Sequence, residues 1–184
     1  EGFTPEQAAV LRDAASRNAT ALDLARQARH LTAFDYGLNP ATDMPHTMTV
    51  LKDSRRLMRW LWIDGLQAQV EGDLDRAVDD CRSALHMARS LGGEHYLLVL
   101  LVRISIEGAA RAMVEDMLSR CELNDSQLAA LGDAVDKARG GYDLVEVLRG
   151  ELTGMSVSLS DPVRAFRRLE DLQRFNDRTM RAGM

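Results

Sequence analysis

Apolar residues recur along this chain at three- and four-residue spacing, and no segment keeps a two-residue alternation, so the pattern predicts helices and no sheet. Val10, Leu11, Ala14, Ala15, Leu22, Ala25 and Ala28 predict a first helix running to about Leu31. Thr4-Pro5-Glu6-Gln7 ahead of it can form a capping box with Pro at the first helical position. Ala33 to Met44 mixes Phe34 and Tyr36 with Gly37, Asn39 and Pro40, which predicts a loop folded back over a helix end. Asp43-Met44-Pro45-His46 starts a second helix reaching Glu71, with Leu51, Leu57, Met58, Leu61, Trp62 and Leu66 on its buried side.

Gly72-Asp73 is a turn. Leu74, Ala77, Val78, Cys81, Ala84, Leu85, Ala88 and Leu91 then form the cleanest apolar stripe in the chain, and Gly92-Gly93 provides a glycine helix stop. The next helix is expected from Glu94 to Arg120. Its first half is apolar nearly all round, which predicts the central buried helix. Asn124 to Gln127 caps a further helix carrying Leu128, Leu131, Val135 and Ala138. After Gly140-Gly141, Tyr142 to Leu152 reads as a short helix and Thr153 to Ser160 as a loop. Asp161-Pro162 opens a last helix with Phe166, Leu169, Leu172 and Phe175 on one side and six arginines between Arg164 and Arg181. The expected fold is therefore all-α: one domain over residues 1–184, a bundle of about seven helices with long antiparallel hairpins.

Composition narrows the partners. The 184 residues carry a net charge of −5, which argues against a general nucleic-acid binder, because such a protein needs a basic face to displace counterions. The chain is long enough to bury a core without a metal or disulfide. The most apolar run, Leu97 to Val102, is too short to span a bilayer, and Arg103 follows it directly.

Chemistry is sparse. His30, His46, His86 and His95 have no metal-ligand spacing between them, and His-Glu-x-x-His, Cys-x-x-Cys, Gly-x-Ser-x-Gly and phosphate-cradling loops are all missing from the sequence. No cofactor is implied. Cys81 lies on the apolar stripe and reads as a small buried thiol. The feature that stands out is Arg103, Glu107, Arg111 and Glu115, spaced by four on one helix. They read either as a ladder of ion pairs along an exposed edge or as a polar strip lining a groove for a peptide or small anion. Trp60 and Trp62 face opposite ways, so one belongs to the core and the other marks an interface or a site beneath a loop. Arg103, Glu107, Arg111 and Trp62 are the candidate binding residues.

Gly72-Asp73-Leu74-Asp75-Arg76-Ala77-Val78-Asp79-Asp80-Cys81-Arg82-Ser83-Ala84-Leu85 resembles the turn and second helix of a tetratricopeptide repeat, with Ala77 and Ala84 where two helices approach closely. One copy is present, which resembles a single repeat-like hairpin within a bundle. A longer stretch is similar to a family of helical proteins of planctomycete-type bacteria for which no activity is established. The resemblance is carried by Met44-Pro45-His46, Leu51 to Leu57, Glu71-Gly72-Asp73, Ala84 to Leu91 and Leu101 to Ile106. It implies export and a membrane anchor upstream of Glu1. The function these readings favour is a protein–protein interaction or scaffolding module without catalysis. The alternative is a small-molecule or peptide binder with a pocket near the helix at 94–120.

Overall fold

The computed structural model describes residues 4–39, 43–93, 95–139 and 143–160, with side chains in the last stretch as far as Thr153. Among these residues the chain is all-α, a bundle of seven α-helices. They are α1 (Pro5–Arg17), α2 (Ala19–Ala28), α3 (Met44–Glu71), α4 (Leu74–Ser90), α5 (Leu97–Arg120), α6 (Asp125–Ala138) and α7 (Leu144–Ser160). None of the described helices is long and apolar enough to cross a membrane. The arginine-rich helix expected beyond Asp161 lies outside the described residues.

The helix starts follow local chemistry. Thr4 and Gln7 form a reciprocal capping box at α1, and Asn124 and Gln127 form another at α6. Asp43 caps α3 by accepting from the His46 amide, with Pro45 in the first turn. Gly72 ends α3 in the left-handed region (φ 77°), a conformation that costs glycine nothing. Its amide and that of Asp73 return to Gln69 and Ala68 in a Schellman arrangement. Asp73 then caps α4 through the Arg76 amide. Arg76 also reaches back across this turn, donating from Nη2 to Glu71 Oε2 at 2.5 Å.

Four expectations are corrected. The first predicted helix is two, broken at Asn18 (φ −116°, ψ 11°), whose side chain donates to the Ala14 carbonyl and competes with the backbone ladder. The helix after Tyr142 does not stop at Leu152 but continues through Ser160. Gly92 and Gly93 close α4 with a 3-10 turn, Leu91–Gly93, and neither takes a positive φ.

The fourth correction concerns the centre. That position belongs to α4, which packs against α2, α3, α5 and α6 and buries Ala77, Val78, Cys81, Ala84, Leu85 and Ala88. Helix α5 buries Val99, Val102, Ile106, Ala110, Met113 and Met117 but leaves Leu97, Leu101 and Ile104 on an exposed outer row. Its uniform apolarity thus covers two faces, only one of which meets α3 and α4. Helix α7 packs on α5 through two specific contacts. Glu151 accepts from the Leu97 amide (2.7 Å), supplying the cap that Tyr96 does not. Gly150 lies under His95 so closely that a Cβ there would overlap the His95 carbonyl oxygen.

Candidate functional site

A buried polar cluster ties α2 to the two helices beneath it. Asp80, on α4, is fully buried, and Asp64, on α3, is nearly so. Arg26, on α2, covers both. Its Nε donates to Asp80 Oδ1 (2.9 Å), Nη2 reaches Asp64 Oδ2 and Asp80 Oδ1, and Nη1 reaches Asp23 on its own helix (3.1 Å). Burial raises the Asp80 carboxyl to about 8. The Asp64 carboxylate pushes the same way and the Arg26 guanidinium opposes it. Asp80 Oδ2 has no hydrogen-bond partner among the described residues. The pair lies under one guanidinium. It is sealed by Arg26 and leaves no open atom of Asp80 for a substrate, so this is an internal anchor.

Beside it lies a cavity of about 240 Å³ whose wall includes Arg12, Arg26, Asp64, Gln67, Glu71 and Arg76. Its polar groups satisfy one another in part, with Gln67 Oε1 and Arg76 Nε left without a hydrogen-bond partner among the described residues. Gln67 and Arg76 both donate to Glu71, whose carboxyl they hold below the usual carboxylate range. A second, mainly apolar groove of about 560 Å³ runs beneath the loop at Tyr36, lined by Tyr36, Val50, Leu57, Trp60 and Met87. The tryptophan beneath the loop is therefore Trp60, while Trp62 is half-buried against the core.

The third cavity, of about 220 Å³, opens between the end of α2, α4 and α6. Leu85, Ala134 and Ala138 and the more exposed Leu31 supply its apolar lining. Its rim carries Arg29, Arg82, Arg89 and Lys137, with His86 between the arginines. Arg82 and Arg89 are seven residues apart on α4 and so share a helix face about 10 Å long. Arg29 and Arg82 are both oriented by Asp79, at 2.7 and 3.1 Å, and Arg29 Nε also donates to the Arg26 carbonyl. Lys137 pairs with Asp133 at 2.7 Å. Arg89 meets no carboxylate among the described residues; its Nη2 lies 3.4 Å from His86 Nδ1. The Phe34 ring packs edge-on to His86, with centroids 5.1 Å apart. Burial lowers the His86 pKa, and the positive charges of Arg89 and Arg29 lower it further, a direct sign of the local potential. Four cations stand against Asp79 and Asp133, an excess of two positive charges in a chain whose net charge is −5.

The polar residues of α5 are arranged differently from an exposed ladder. Arg103 and Glu107 are buried, and the Arg103 guanidinium lies against Gly92, where a Cβ would come within 3.0 Å of Nη1. Arg111 is exposed and donates to Glu107 at 2.5 Å. Arg103, Glu107, Arg111 and Trp62 line none of the three cavities described above. Sequence reasoning missed the cationic cavity because its residues come from three separate segments, 29–32, 82–89 and 133–138. The one available signal was the spacing of Arg82 and Arg89 on the best-defined stripe. No group of His, Cys, Asp and Glu that could hold a metal occurs among the described residues. Neither a family model, nor a curated protein, nor a solved structure matches this chain.

Proposed function

We propose that this chain is a non-catalytic protein-recognition module that holds an acidic segment of a partner protein in the cationic cavity between α2, α4 and α6. The observation that carries the reading is the local excess of two positive charges around an apolar lining, set in an acidic chain. Such an arrangement draws an acidic segment toward the cavity. The tetratricopeptide-like hairpin of residues 72–85 supports a scaffolding role, and the similarity of the region from Ala41 to Leu131 supports an extracytoplasmic setting with an upstream anchor. The pair Asp64 and Asp80 supports anchoring over catalysis, because Arg26 covers both carboxyl groups.

The test is a titration of the chain with a short glutamate-rich peptide at low and at moderate salt. Binding that weakens with salt and falls about tenfold or more in the double variant R82E/R89E supports the reading. Equal binding by the variant removes the cavity from the account.

A further inference from the structure

We propose that the cationic cavity recognises a phosphorylated side chain on the partner segment. This inference rests on the recognition role above and names the chemistry that role requires. Three features select a compact dianion. The first is size: at about 220 Å³ the cavity is smaller than the ~300–1,000 Å³ typical of sites for drug-sized ligands, so it suits a small head group. The second is charge. Arg29, Arg82, Arg89 and Lys137 exceed Asp79 and Asp133 by two, the charge a phosphoryl group approaches at neutral pH and a single carboxylate cannot match.

The third is the supply of donors. Asp79 engages Nη1 of Arg29 and Nη1 of Arg82, and the Arg26 carbonyl holds Nε of Arg29, which leaves Nη2 of Arg29 and Nε and Nη2 of Arg82 for a ligand. Arg89 adds a fork whose recorded hydrogen bond is the long one to His86. Guanidinium forks held in place fit the oxygens of a phosphoryl group by paired hydrogen bonds, and Lys137 on α6 adds a point charge across the opening. Leu31, Leu85 and Ala134 offer apolar contact to the carbons that carry the phosphate.

The experiment compares one short blocked peptide in three forms, with a central serine, phosphoserine or glutamate, by calorimetric titration of the whole chain at pH 7.5. Inorganic phosphate and phosphatidylserine vesicles serve as separate probes. The expected result is phosphoserine binding about tenfold tighter than glutamate, no binding of the serine form, and loss of the phosphoserine preference in both R89A and K137A. Lys137 is exposed and Arg89 half-buried, and the melting curve of each variant checks its fold. Equal affinity for the glutamate and phosphoserine forms overturns the phosphoryl assignment but leaves the acidic-segment role standing. No binding of either form overturns both. Vesicle binding stronger than that of the phosphopeptide overturns the assignment in favour of a lipid surface. Inorganic phosphate that competes with the phosphopeptide supports it, and phosphate that leaves peptide binding unchanged counts against it.

Discussion

Arg26 and Asp80 lie 54 residues apart in sequence and are joined at 2.9 Å, Nε to Oδ1, which makes this guanidinium a buried link between α2 and the central helix. Asp64 shares the same cation, so α2, α3 and α4 meet at a single buried point. A buried carboxyl pair beneath one cation is a costly arrangement unless one member keeps its proton. That requirement makes the stability of the fold depend on pH.

The Asp80 carboxyl is raised from 3.8 to about 8, so the folded state binds a proton that the unfolded state has released. Its contribution is complete below about pH 4 and is lost as pH rises through 8. His86 acts oppositely, since its depressed pKa makes the unfolded state the better proton acceptor near and below its ordinary 6.5. Between pH 6.5 and 8 the Asp80 effect prevails, and stability falls. The groups facing Asp80 are Arg26 and Asp64, with Cys81 beside it and Asp23 on the far side of Arg26. Asp80→Asn, which keeps the shape of the protonated form, should flatten this decline in urea titrations at pH 6.5, 7.2 and 8.

Removing the cation has the complementary effect. Arg26→Ala should cost about 3–5 kcal/mol at pH 8, where the Asp80 carboxyl begins to ionise beside Asp64, and clearly less at pH 6. Denaturant midpoints at the two pH values measure the difference. A loss independent of pH would mean that Arg26 contributes packing alone.

Much of this fold was legible in the sequence, because capping and stripes are local. The starts at Pro5, Met44 and Asp125 follow from residues within one turn of each helix end. The break at Asn18 escaped notice because the apolar spacing continues through it, and the decisive event is one side-chain bond to Ala14. The role of α5 was overestimated for a related reason: composition does not distinguish a helix enclosed on all sides from one whose outer row of Leu97, Leu101 and Ile104 is exposed among the described residues. The cavity depends on Arg29 finding Asp79 across 50 residues, and Arg29, Arg82 and Lys137 each read singly as a solvated charge.

The stripe on α4 gives a sharper packing test. Ala77 and Ala84 are both fully buried, and Gly65 on α3 stands beside Asp80 and Met113. Ala84→Leu should overpack this layer and cost about 1–3 kcal/mol, read from the thermal midpoint. A variant that melts with the parent would show that the layer has room.

Gly150→Ala should release α7 from α5, because the added methyl has to displace the His95 backbone rather than a flexible side chain. Hydrogen exchange should then speed up at the Leu97 amide, which loses its Glu151 acceptor, and along the helix from Leu144. Protection of α3 and α4 should be unchanged.

The central claim is the place of recognition, and amide chemical-shift mapping of the labelled chain during titration with the acidic or phosphorylated peptide tests it most directly. The account predicts shifts concentrated at residues 29–32, 82–89 and 133–138, the three segments that build the cationic cavity. Shifts centred instead on Arg103, Glu107 and Arg111, or on the groove around Trp60, would contradict it.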